Sequence, residues 1–150
     1  MTRTLTPLLT ALLLATASMA HAGPLAEAAA PAASMQEKVV YHVNDSANAS
    51  AALRNIKNHL AAAPDAKIVV VTHGKGIDFL LNDAKDDKGE YAATIAGLKG
   101  KGVDFRVCNN TLKARNLGAD AVVPEATIVP SGVAEIGKLQ AQEGFVYLKP

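Results

Sequence analysis

Ile68-Val69-Val70-Val71-Thr72-His73-Gly74-Lys75-Gly76 is the stretch on which the fold turns. Its first four residues are all apolar and β-branched, so neither side of the strand is suited to water, and such a strand needs cover on both faces. A parallel sheet between layers of helix provides that cover. Upstream, Ala49, Ala52, Leu53, Ile56, Leu60 and Ala63 recur at helical spacing, with Arg54, Lys57 and Asn58 on the opposite side and Pro64-Asp65 as the stop. Before that helix, Lys38 to Val43 forms a first strand, followed by Asn44-Asp45-Ser46 as turn and cap material.

Downstream, a polar loop from Asn82 to Gly89 leads into a helix spaced by Tyr91, Ile95 and Leu98 and closed by Gly100-Lys101-Gly102. Val103 to Val107 is the next strand, Thr111 to Leu117 a short helix, and Ala126 to Val129 a fourth strand that runs into Pro130-Ser131-Gly132. Ser131 reads as the N-cap of a last helix whose inner face carries Val133, Ile136, Gly137 and Gln140. Gly144 closes that helix, and Phe145 to Leu148 makes a fifth strand. Strand and helix alternate throughout. The expected fold is therefore α/β, a three-layer α/β/α arrangement around a five-stranded, mainly parallel sheet joined by right-handed crossovers.

In such sheets ligands bind outside the carboxyl ends of the strands. Here those ends carry His42 with Asn44, His73 with Gly74, Cys108 with Asn109 and Asn110, and Ser131 with Gly132. The candidate site follows: Cys108 and His73 for chemistry, and Asn44, Gly74, Asn109, Asn110, Ser131 and Gly132 for binding. Cys108 is the only cysteine and stands where the third core strand meets the helix start Asn109-Asn110-Thr111. Unpaired N–H groups in the first turn of a helix favour a negative sulfur, and Arg106, Lys113 and Arg115 are close enough in sequence to add positive charge. Free cysteine is also among the most buried residue types, so position alone leaves a reactive and a structural reading open.

Arg3, the apolar run from Leu8 to Ala17 and the small-x-small step Ala20-His21-Ala22 before Gly23 have the pattern of a secretory signal peptide. A membrane-spanning helix needs about 20 apolar residues, and this run is about half that length. The expected organisation is a signal peptide over residues 1–22, an Ala/Pro-rich leader over 23–36 and an α/β domain over 37–150, with the mature protein periplasmic or secreted. No stable membrane insertion is expected after cleavage. Of 15 Lys plus Arg the signal removes only Arg3, leaving 14 against 14 Asp plus Glu, so the mature chain is formally neutral. Neither nucleic acid nor an anionic membrane suits it as a partner, since both need a concentrated basic face. A lone cysteine in an exported domain cannot staple the fold; it is either hidden or kept for chemistry.

The turn Val71-Thr72-His73-Gly74, the stretch Gly102 to Leu112 around Cys108, and the run Val129-Pro130-Ser131-Gly132-Val133-Ala134-Glu135-Ile136 resemble the DsrE/DsrF-like family over about Lys38 to Pro150. That resemblance implies a sulfur-relay protein in which a cysteine at the position of Cys108 carries a persulfide between proteins. It also implies a homo-oligomer, with a sulfur donor or acceptor protein as partner. This chain differs from the best-studied, cytoplasmic branch in its export signal and its single cysteine.

Other chemistries find less support. His42, His73 and Cys108 come from separate strands without close ligand spacing, so no metal site is expected. Gly74-Lys75-Gly76 matches neither the dinucleotide fingerprint nor the P-loop, so no cofactor is expected. The acids between Asp83 and Glu90 do not fall at the alternate positions of a calcium loop. His59, at the margin of the first helix, reads as a packing or surface residue. There is no Gly-x-Ser-x-Gly elbow. Two functions survive: a persulfide carrier or sulfurtransferase-like subunit using Cys108, with His73 shaping the pocket or exchanging protons, and a non-catalytic binding or assembly module with a structural Cys108.

Overall fold

The computed structural model describes residues 36–150. The expected signal peptide and, apart from Gln36, the expected leader lie outside the described residues. Strand β1 (Lys38–Val43) leads to helix α1 (Ala49–Ala62) and strand β2 (Lys67–Thr72). A 3-10 segment (Gly74–Leu80) and a small antiparallel hairpin, β3 (Lys85–Asp86) with β4 (Gly89–Glu90), precede helix α2 (Ala92–Lys99). Strand β5 (Asp104–Cys108) passes directly into helix α3 (Asn109–Ala114), and strand β6 (Ala126–Val129), helix α4 (Gly132–Glu143) and strand β7 (Val146–Leu148) complete the domain.

The five long strands form one parallel sheet in the order β6-β5-β2-β1-β7. Because side chains alternate along a strand, the two faces separate by parity. Val39, Tyr41, Val43, Ile68, Val70, Phe105 and Val107 face a large core with Leu53, Ile56, Ile77, Phe79, Ile95 and Leu112. Val40, Val69 and Val71 face a small one with Ile136, Leu139 and Phe145. The α/β/α architecture is as expected, but its layers are unequal: α1, α2 and α3 contribute to the first core, and α4 alone covers the second.

Three local features differ from expectation. The polar loop contains the β3–β4 hairpin, and the 3-10 segment ahead of it buries Ile77, Phe79 and Leu80. A Cβ on Gly76 would lie 2.0 Å from the backbone oxygen of Val43, so only glycine lets this segment approach the end of β1 so closely. Helix α3 starts at Asn109, two residues early, because Cys108 takes the cap position itself. On α4 the buried stripe runs Gly132, Ile136, Leu139, whereas Val133 is 66% exposed and Gly137 and Gln140 face solvent. Anchoring the helix by Gly132 against the sheet rotates its apolar stripe one residue away from the expected one.

Candidate functional site

Three successive crossovers, through α1, through α2 and through α3, step along the sheet in one direction, from β1 to β2 to β5 to β6. The chain then reverses through α4 to reach β7 at the far edge. At the carboxyl ends of the neighbouring strands β5 and β6 the chain therefore leaves toward opposite faces. This is the switch point at which open α/β sheets form their binding crevice. Cys108 stands on one side of it, Ser131 and Gly132 on the other.

The contact between the two sides is close. A Cβ built on Gly132 would lie 3.0 Å from the Thr72 backbone oxygen, 3.2 Å from Cys108 Cβ and 3.3 Å from His73 Cβ. Glycine at 132 thus brings the first turn of α4 against the ends of β2 and β5, while the Ser131 hydroxyl caps that turn by accepting from Ala134 N at 3.4 Å. Cys108 is 4% exposed. Burial pushes its thiol pKa up, but the backbone N–H groups of Gly132, Thr111 and Asn110 and the Thr111 hydroxyl act on the sulfur more strongly, and the net direction is down. None of them closes into a regular cap hydrogen bond. The expected help from charged bases does not arrive. Arg106 is turned onto Asp104, at 2.7 Å, and onto Glu135, and Arg115 is paired with Asp78. The depression comes from oriented polar groups on α3 and α4.

His73 lies on the same sheet face, half-buried, with its Nε2 2.7 Å from Nε2 of His42; the two rings are 4.7 Å apart at their centroids. His42 Nδ1 is in turn 2.7 Å from the hydroxyl of Tyr147, a β7 residue that is 38% exposed. Burial lowers the pKa of both imidazoles, and the nearby Lys149 lowers both further. A line of proton-bearing groups thus runs along the strand ends from solvent to a position beside Gly132 and Cys108. Among the described residues no group of three or more His, Cys, Asp and Glu side chains is placed to hold a metal ion.

A cavity of about 810 Å³ is lined by Gly74, Lys75, Asp78, Asn110, Thr111, Ala114 and Arg115; Cys108 is not in its wall, but Asn110 and Thr111, whose polar groups act on the sulfur, are. Gly74, at φ 58°, donates its N–H to the Thr111 hydroxyl at 3.0 Å and so joins the β2 turn to α3. Of the expected site residues, Gly74 and Asn110 line this cavity, while Cys108, His73 and Gly132 meet where the ends of β2 and β5 touch the first turn of α4. Ser131 serves as a cap, Asn109 sits in the first turn of α3 without a contact to the sulfur, and Asn44 contributes its backbone, against Gly74 and Gly76. Sequence reasoning missed Thr111 and Tyr147. The signal for Thr111 was its place three residues after the cap, where a side chain or amide reaches back. Tyr147 carried no local signal, because its role depends on β7 pairing with β1. His59 is a bridge within the large-core side, between Tyr41 Oη and Glu37 Oε1 at 2.9 Å each.

The model of the DsrE/DsrF-like family matches residues 29–150. Among solved structures, the protein of unknown function MTH1491 from Methanobacterium thermoautotrophicum is 30% identical with a TM-score of 0.69, the match covering 77% of this chain and all of that one. The ychN protein from E. coli matches the same share of each chain with a TM-score of 0.63 and 12% identity, a likeness of fold. No curated protein matches.

Proposed function

The chain belongs to the DsrE/DsrF-like family, and on that premise we propose that it is an exported sulfur carrier, or sulfurtransferase-like subunit, that holds sulfane sulfur as a persulfide on Cys108. One observation carries this reading: a buried thiol, which desolvation alone would keep protonated, has its pKa lowered by N–H groups from two different elements and the Thr111 hydroxyl. The same groups make Cys108 a good leaving sulfur once a persulfide is attacked, since they stabilise the thiolate left behind. The cavity, which shares Asn110 and Thr111 with the surroundings of the sulfur, offers room for a donor or acceptor, and Lys75 at its wall suits an anionic one. The reading includes cleavage of the signal peptide after Ala22, a periplasmic or secreted location and self-association.

The test is intact mass after incubation with glutathione persulfide. The native protein gains one sulfur atom that dithiothreitol removes, and Cys108→Ser gains none. Equal uptake by the variant, or no uptake by the native protein, sinks the reading. The 4% exposure of Cys108 favours one alternative, a binding or assembly module in which the thiol is packing. In that case sulfur uptake is absent and the thiol resists reagents until the chain unfolds.

A further inference from the structure

We propose that His42 and His73 form a binding site for a divalent transition-metal ion of the zinc and copper class, with Tyr147 holding the His42 ring in its ligating tautomer. The site stands apart from the sulfur chemistry of Cys108. Its basis is the meeting of two imidazoles through their Nε2 ends, the nitrogens 2.7 Å apart and the ring centroids 4.7 Å apart. The two residues lie 31 positions apart, so no ligand spacing shows in the chain; the pairing of β1 with β2 brings them together on one face of the sheet. At this separation one Nε2 carries a proton that the other accepts. A metal ion held by both nitrogens at about 2.0–2.1 Å, in tetrahedral or square-planar geometry, needs them about 2.8–3.4 Å apart. The pair is therefore a few tenths of an ångström from a chelating separation, and the ion takes the place of the shared proton.

The second observation lies on the other side of His42. Its Nδ1 is 2.7 Å from Tyr147 Oη, and donation to that oxygen fixes the proton on Nδ1 and leaves Nε2 as a lone pair facing His73. Ligating histidines characteristically donate their second ring N–H in this way. In that tautomer His73 Nε2 holds the shared proton. On metal binding the proton passes to His73 Nδ1, which has no hydrogen-bond partner among the described residues, so both rings stay neutral and no net proton is released. Imidazole nitrogen suits zinc, copper and nickel, whereas magnesium and calcium require oxygen ligands. Among the described residues no third His, Cys, Asp or Glu side chain joins the pair. The remaining coordination positions then go to water or an incoming ligand, the open arrangement of a binding site and not the closed one of a structural zinc. Both rings are half-buried and Tyr147 lies on the edge strand β7, so the ion enters from solvent. Lys149 is the charged group that faces both rings; it opposes a bare cation and favours an anion in the open positions.

Zinc is the probe, because it is redox-inert and leaves the thiol unoxidised. Zn²⁺ is titrated calorimetrically into the whole native chain and into its His42→Gln, His73→Gln, Tyr147→Phe and Cys108→Ser variants, and the ring nitrogens of the isotope-labelled native chain are followed by NMR. The native and Cys108→Ser proteins should each take one ion with similar affinity, and neither histidine variant should bind saturably. Tyr147→Phe should bind about tenfold more weakly while the metal-free chain keeps its melting temperature, as for loss of a group that orients a ligand. In the native chain the Nε2 signals of His42 and His73 should move with zinc and return with EDTA, while those of His59 stay. That readout keeps the test valid should a variant fold poorly. Saturable binding in both histidine variants, binding that disappears in Cys108→Ser, or His42 and His73 signals that ignore the ion would overturn the site. Native affinity in Tyr147→Phe overturns the orienting role of the tyrosine.

Discussion

Cys108 concentrates the conflict that defines this protein, a thiol 4% exposed in a setting that favours its charged form. The conflict makes substitutions informative. Serine keeps a small polar acceptor in front of the N–H groups of Gly132, Thr111 and Asn110, while alanine leaves those donors facing a methyl group. We expect Cys108→Ser to stay close to the native protein in stability and Cys108→Ala to lose about 1 kcal/mol, as for removal of a helix cap or a buried acceptor. Urea denaturation of both variants measures the difference. If the thiol were apolar packing, the order would invert, because serine would then bring an unpaired hydroxyl into the core. At this scale the sequence was informative about place: it put the lone cysteine at a strand-to-helix step, and Cys108 ends β5 and caps α3. The source of its stabilisation was less legible, since nearby arginines looked available in sequence and the fold commits Arg106 and Arg115 to carboxylates.

Among the elements, the first turn of α4 does most to build the site, and Gly132 is why it reaches. With the Thr72 oxygen 3.0 Å from where a Cβ would stand, Gly132→Ala asks this seam to give by a few tenths of an ångström, which draws the N–H group of α4 away from the sulfur. The expected outcome is a loss of about 1–3 kcal/mol, typical of overpacking, together with slower alkylation of Cys108 at neutral pH. A variant with native stability and native thiol reactivity would show that this seam does not set the thiol. The elements themselves were largely readable. The Ile68–Val71 run, the helical spacing of α1 and the Ser131 cap all appear where composition and periodicity put them. The hairpin in the polar loop and the exposed Val133 were not, because tertiary contacts of the 3-10 segment and of Gly132 decide them.

The whole molecule supplies what no segment holds, the strand order. A sheet ordered β6-β5-β2-β1-β7 puts the reversal of direction between the two strands that end in Cys108 and Val129, and it lays Tyr147 beside β1, within reach of His42. Neither consequence follows from local pattern, which is why His42, although placed at a strand end, was given no role beyond a metal ligand, and Tyr147 was not weighed at all. The lowered thiol pKa is likewise a property of the assembled fold, since Gly132, Thr111 and Asn110 meet the sulfur only when β5, α3 and α4 are in place. The most direct measurement is the rate of Cys108 alkylation by iodoacetamide as a function of pH, native and in denaturing urea. Unfolding returns the thiol to its ordinary value of about 8.5. A depressed native pKa means that the thiolate persists to lower pH, so the native rate profile should have its midpoint below the unfolded one, with measurable reaction at neutral pH. A native midpoint at or above the unfolded one, or a native thiol inert wherever the unfolded chain reacts, would contradict the account.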